Sequence, residues 1–356
     1  MSIDLAHLVA VRTRHPEAIA EAAARRRRRP LLDASGRDSG SGPGPGLGPG
    51  PGLGPGLGPG SGPGSGLGPG SGPGSGSGEN RRQSPRPRPA GPGNPAHHGR
   101  LMIVAADHPA RGALAVGDRP LAMANRLDLL ERLCLALSRP GVDGVLATAD
   151  ILDDLLLLGA LEEKVVMGSM NRGGLAGAAF ELDDRFTGHR PEDLARLRFD
   201  AGKLLLRIDP DDPGSLTTLH SAARVIDAMA ARRLPVFVEP FLCRRDPDGR
   251  VRNDLGADAV TTSLAIASGL AGTSAYTWLK VPVTDDPDDM ARVMEASTLP
   301  AVLLGGEVGH DQDATYEKWR KALHLPTVQG LVVGRSLLYP PDGDVAAAVD
   351  TAVGLL

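Results

Sequence analysis

The chain has 356 residues, 39 Lys plus Arg against 43 Asp plus Glu, and a formal net charge of −4. That length allows one large domain or two ordinary ones, and two cysteines, Cys134 and Cys243, exclude a disulfide scaffold and lack the paired spacing of a zinc site. No apolar run of about 18 residues marks a membrane span, and the N-terminus lacks the apolar stretch of a secretory signal, so a cytoplasmic protein with no membrane partner is expected.

In chain order, residues 16–29 are rich in Ala, Glu and Arg and end before Pro30, which predicts a short helix. The run Arg25–Arg29 reads as a solvated helix end. No aromatic residue interleaves it for base stacking, so no nucleic-acid partner is expected. From Gly40 to Gly78 every even position is glycine, with Pro, Ser or Leu between. Such a stretch has too little apolar surface to offset its ordering entropy and is expected to be disordered. Charge divides the chain at the same place: residues 1–100 carry 13 basic against 6 acidic residues, and 101–356 carry 26 against 37. The expected organisation is a helical arm over 1–33, a disordered Gly/Pro/Ser-rich segment over 34–99, and a folded domain over 100–356.

From residue 101 short apolar runs alternate with longer amphipathic ones. Strands are expected over 101–107, 142–148, 165–170, 203–208, 235–241, 277–283, 301–304 and 330–333. Helices are expected over 120–138, 150–162, 190–199, 214–233, 256–270, 286–297, 313–323 and 344–355. Eight strand–helix pairs in this length predict an α/β fold, a (β/α)₈ TIM barrel. The rival is a doubly wound open sheet, which needs a Gly-rich loop after its first strand; AADHPARG does not supply one. In a barrel, chemistry belongs at the C-terminal strand ends, and phosphate commonly sits after strands seven and eight.

Only five lysines occur, against 34 arginines. Lys318 and Lys321 fall on a polar helix, and Lys164, on a charged segment, is expected in solvent. Lys203 and Lys280 instead interrupt apolar strands, in GKLLLRID and YTWLKVPVT. A buried ammonium is costly unless paired or used. An amine, unlike a guanidinium, can lose its proton and attack a carbonyl. In LPVFVEPFL, alternation puts Glu239 on one face with Phe237 and Phe241. That carboxylate can pair a strand lysine or move a proton. Asp107 is a second carboxylate on the same rim, placed either for chemistry or to cap its own loop. Gly305 and Gly306 end strand seven in LLGGE, and Gly334 and Arg335 end strand eight in VVGRS; together they suit an anion.

Taken together, these segments resemble the Schiff-base (class I) aldolases, the family of deoxyribose-phosphate, archaeal-type fructose-bisphosphate and tagatose-bisphosphate aldolases. GKLLLRIDPDD resembles their fourth strand, VFVEPFL the fifth with its catalytic glutamate, and WLKVPV the sixth with its Schiff-base lysine. The resemblance covers roughly residues 101–340. It implies Lys280 as the Schiff-base former, Glu239 as the proton-transfer group, Lys203 as a cationic neighbour lowering the Lys280 pKa, and Asp107 as a first-strand carboxylate. It implies no cofactor and no metal. The N-terminal segment leading into LMIVAADHPARG is similar to an actinobacterial subgroup linked with myo-inositol catabolism. That link implies cleavage of 6-phospho-5-dehydro-2-deoxygluconate into dihydroxyacetone phosphate and malonate semialdehyde, with Arg111, Arg172 and Arg207 as candidates for the distal anionic end. Deoxyribose phosphate and the tagatose or fructose bisphosphates are the alternative substrates. Two further readings stay open: a metal enzyme using His108, His310, Asp107, Glu239 and Glu307, and a non-catalytic scaffold or sensor. A homo-oligomer is compatible with either.

Overall fold

The computed structural model describes residues 3–29, 31, 99–284, 286–306 and 311–356. The segment expected to be disordered, 34–99, lies outside the described residues except for Gly99. Two helices begin the chain, α1 (Leu5–Arg14) and α2 (Ala18–Arg25). After them come β1 (Leu101–Ala106), α3 (Arg126–Ser138), β2 (Gly144–Ala147), α4 (Ala149–Leu157), β3 (Val165–Ser169), α5 (Pro191–Arg196), β4 (Ala201–Ile208) and α6 (Gly214–Ala231). The second half adds β5 (Val236–Arg245), β6 (Val251–Asn253), α7 (Ala257–Ser268), β7 (Thr277–Val281), α8 (Pro287–Met294), β8 (Ala301–Leu304), α9 (Gln312–Leu323), β9 (Val328–Val333), α10 (Arg335–Leu338) and α11 (Val345–Val353).

The eight expected strands are all present and parallel. They run β4-β3-β2-β1-β9-β8-β7-β5, and pairing of β4 with β5 closes the sheet into a barrel. Among the described residues, closure leaves none of the eight barrel strands at an open edge. Three of the barrel helices start where a side chain satisfies a first-turn N–H group: Asn125 accepts from Asp128 N at 3.2 Å, Asp311 from Ala314 N at 2.9 Å and Asp344 from Ala347 N at 3.0 Å. The helix expected from residue 120 begins at Arg126 because Asn125 takes that cap. β5 outruns its expected end at 241. Its extension pairs antiparallel with β6 across the turn DPDGR, with Cys243 opposite Asn253.

Alternation divides the core into two layers. Met102, Val104 and Ala106 face out toward the helices, whereas Leu101, Ile103 and Ala105 face into the barrel with Met167, Ala201, Phe237 and Trp278. The Phe237 and Trp278 rings meet there with centroids 5.1 Å apart. Leu31 belongs to this inner layer, so the N-terminal arm closes the barrel floor.

That docking corrects the reading of Arg25–Arg29 as a solvated end. Arg26 is buried, donates to the carbonyls of Leu161, Lys164 and Arg198, and pairs with Asp200 at 2.8 Å. Arg29 lies 3.2 Å from buried Asp143. Lys164, expected in solvent, donates to Val142 O at 2.7 Å.

Candidate active site

Five strands make the site by one repeated step. On each, an inward apolar residue of the barrel layer is followed two positions later by an inward polar one. Ala105 is followed by Asp107, Met167 by Ser169, Ala201 by Lys203, Phe237 by Glu239 and Trp278 by Lys280. A polar layer therefore sits on a dry apolar one at the C-terminal end of the barrel. All four expected catalytic residues are in it and nearly fully buried: Lys203 is 2% exposed, Asp107 3%, Lys280 6% and Glu239 8%.

Glu239 is the hub. Its Oε1 accepts from Lys280 Nζ, and its Oε2 pairs with Lys203 Nζ. Lys203 Nζ also donates to Asp107 Oδ2 at 3.3 Å. The same oxygen accepts from Ser169 Oγ at 3.2 Å and from Arg172 Nη2, while Arg172 Nε donates to Ser169 Oγ at 2.7 Å. Asp107 thus faces the interior instead of capping its loop.

Burial is the main force on the proton affinities here. It pushes both lysines below their ordinary value, Lys203 furthest, with Glu239 opposing in each case. After burial, the cations depressing Lys280 are Arg172 and Arg335, so Lys203 is not its leading cationic influence as expected. Burial raises Glu239, but Lys203 and Lys280 outweigh it and hold the carboxyl well below the usual carboxylate range. His108 stands beside the cluster, its Nδ1 3.8 Å from Asp107 Oδ1. Burial, then Arg335 and Lys280, push it down to about 3, so its ring is neutral.

The expected anion loops end β8 and β9. A Cβ on Gly334 would lie 2.3 Å from Ala105 O, and one on Gly305 would lie 2.6 Å from Val333 Cγ1. Strand packing alone therefore demands both glycines. Gly306 turns the chain at φ +66°. Arg335 spans the two loops, its Nη2 3.5 Å from Gly306 O.

The three arginines expected at the distal end are neither solvated nor idle. Arg172 pairs with Asp107 inside the lysine cluster. Arg111 pairs with Asp184 and donates to Gly174 O at 2.6 Å and Asn171 O at 2.9 Å. Arg207 holds Glu181 at 2.5 Å. Arg111 and Arg207 thereby fasten the loop between β3 and α5 over the barrel mouth. Sequence reasoning missed Ser169 and Asn171. Continuing the inward alternation of β3 reaches Ser169. Asn171 extends the strand pairing by side chain, accepting from Leu205 N at 2.8 Å and donating to Leu205 O at 2.6 Å. Among the described residues no group of three or more His, Cys, Asp or Glu converges as metal ligands would. Glu307 and His310 lie outside the described residues.

A family model described as Cgl0159-like matches residues 99–353, the whole barrel. The chain belongs to the Cgl0159-like family. It is similar to the crystal structure of Cgl0159 from Corynebacterium glutamicum (Brevibacterium flavum), at 44% identity over 99% of this chain and 97% of that one, with a TM-score of 0.78. More distant likenesses include a Schiff base forming fructose-1,6-bisphosphate aldolase, 19% identical over 73% of this chain and 95% of that one, TM-score 0.53. An archaeal fructose-1,6-bisphosphate aldolase, whose catalytic Lys carries a carbinolamine intermediate, is 18% identical over 72% and 94%, TM-score 0.54. These two share the fold of the Cgl0159-like barrel. No curated protein matches the sequence at a significant level.

Proposed function

We propose that this chain is a class I aldolase, splitting a carbon–carbon bond of a phosphorylated sugar or sugar acid through a Schiff base on Lys280. The observation that carries the reading is one buried carboxylate, Glu239, holding two buried amines on neighbouring barrel strands. The likeness to aldolase barrels supports it. Burial affects both amines, but their carboxylates differ. Lys203 lies between Asp107 and Glu239, whereas Lys280 contacts Glu239 alone. Burial lowers Lys203 further than Lys280, so amine chemistry alone does not choose between them; the resemblance of WLKVPV to the Schiff-base strand makes Lys280 the nucleophile in this reading.

The neutral amine of Lys280 adds to the substrate carbonyl, whose oxygen takes one proton from that nitrogen and a second from solvent and leaves as water, giving an iminium ion. The electron pair of the adjacent carbon–carbon bond moves into the iminium, forming an enamine, while the hydroxyl beyond the breaking bond becomes an aldehyde and passes its proton to Glu239. As the iminium becomes a neutral enamine, the positive charge on the Lys280 nitrogen disappears, and with it one of the two charges that hold the carboxylate's basicity down. Glu239 then returns the proton to the enamine carbon, and water releases the ketone and the amine. Arg335, with the loops of Gly305, Gly306 and Gly334, holds the phosphate and so positions the carbonyl. Within this reading the substrate is 6-phospho-5-dehydro-2-deoxygluconate, whose ketone adjoins the phosphate-bearing carbon. Deoxyribose phosphate and the fructose and tagatose bisphosphates are the comparison substrates.

The test is borohydride reduction with each sugar phosphate, followed by peptide mass mapping. The adduct is expected on Lys280 and is expected to persist with chelator present. Lys280→Arg should abolish it, and Lys203→Arg should retain part of it, because a guanidinium can replace a charge but not a nucleophile. An adduct on Lys203, or turnover by Lys280→Arg, would overturn the assignment. Absence of any adduct would favour the scaffold reading.

A further inference from the structure

Charged or titratable groups reach Lys280 from several described elements. β5 presents Glu239, β4 presents Lys203, the end of β1 presents Asp107 and His108, the loop after β3 presents Arg172, and the loop after β9 presents Arg335. Two outer pairs, Arg111–Asp184 and Arg207–Glu181, are each balanced. His108 is neutral. Among the described residues the inner cluster then holds two carboxylates, Asp107 and Glu239, against three cations, Arg172, Lys203 and Lys280.

We propose that Arg172 is a positioning residue that sets the proton count of the lysine pair. Its guanidinium pairs with Asp107, which Lys203 also touches at 3.3 Å, and cannot release its own proton; two carboxylates then face three cations, so one of the two lysines rests as the free amine. Ser169 fixes the geometry: it binds both Arg172 Nε and the Asp107 oxygen that Arg172 holds. A lysine at position 172 could discharge itself and leave both strand lysines charged. An uncharged residue there would leave two cations matched by two carboxylates, with no excess to expel. This deepens the aldolase reading, since a resting amine at Lys280 is what a Schiff-base enzyme needs. The proton count itself does not depend on that reading.

The test measures the amines directly. The protein is labelled with formaldehyde and cyanoborohydride across roughly pH 5 to 10, and each lysine peptide is quantified. With five lysines in the chain, every site is resolved, and exposed Lys321 serves as the internal reference. In the native protein Lys280 should reach half-labelling at lower pH than Lys321. Arg172→Gln should raise that midpoint by about one unit or more, a tenfold loss of free amine near neutrality. Asp107→Asn should move it the opposite way, and Ser169→Ala, which leaves the count intact, should shift it far less. A midpoint that stays within about 0.3 units in Arg172→Gln, or labelling reduced equally at every pH, overturns the proposal. If Arg172→Gln does not fold, an Asp107→Asn midpoint that rises or stays still overturns it instead. Failure of the Schiff-base reading looks different: the midpoints move as stated, yet dihydroxyacetone phosphate with borohydride leaves no adduct on Lys280.

Discussion

His108 and His189 are both held as neutral rings by burial, His108 down to about 3 and His189 by a smaller shift that its bond to Ser169 O opposes. In the unfolded chain both titrate near 6.5. The unfolded state therefore takes up protons as pH falls below that value while the folded state does not. Stability from the two rings is complete above about 6.5 and falls as pH drops below it, for His108 down toward about 3, by at most about 1.4 kcal/mol per pH unit for each. His108→Asn should flatten the fall in urea-unfolding free energy between pH 7 and 5; an unchanged slope would refute this. Arg335 invites a second measurement. If it binds substrate phosphate, Arg335→Ala should raise KM for the phosphorylated substrate about ten- to a hundredfold, the loss of one charged hydrogen-bonding group. The dephosphorylated analogue should be nearly unaffected, and equal effects on both would remove Arg335 from the phosphate site. At this scale the catalytic candidates were readable because a charge inside an apolar strand is conspicuous. Ser169 was not, since small hydroxyl residues end strands everywhere. The partners of Arg111 and Arg207, Asp184 and Glu181, were not legible because they lie on a loop with no periodicity to reveal them.

At the scale of elements, the arm before the barrel was the hardest part to read. Five successive arginines look like a solvated face, and Asp200, which buries Arg26, is 174 residues further on. Nothing local distinguishes Arg26 from Arg25. The eight barrel strands, by contrast, announce themselves as apolar runs because both faces of each are covered. The β5–β6 hairpin carried a readable signal in DPDG that a search for barrel strands passed over. The arginine run supplies its own control. Removing Arg26 strands Asp200 inside the protein without its buried partner and frees three carbonyl groups. Arg26→Ala should therefore cost about 3–5 kcal/mol, whereas Arg25→Ala, at an exposed position, should stay within about 0.5 kcal/mol. Denaturant unfolding of the two variants checks this, and equal effects would show that the arm does not anchor through Arg26.

For the molecule as a whole, the question is what the Gly-alternating segment contributes to a barrel whose N-terminal arm is already part of its floor. Leu31 and Leu101 belong to the same inner cluster, so the chain leaves and re-enters the barrel at one end of it, and a connection there need span only that floor. The 39 residues from Gly40 to Gly78 offer almost no side chain able to bury apolar area. Their expected energetic role is loop closure alone, which depends only logarithmically on length. Excising residues 40–78 shortens the connection between positions 31 and 99 to less than half. It should stabilise the barrel by roughly 0.8 kcal/mol or less and leave borohydride trapping at Lys280 unchanged. Removing residues 1–31 should do the reverse, because it takes Arg26 from Asp200 and Leu31 from the barrel interior. Unfolding curves and trapping yields of the two deletions decide the matter. Loss of stability or of the adduct on excising 40–78 would mean that the segment docks on the barrel, and its sequence would then need a reading other than that of a tether.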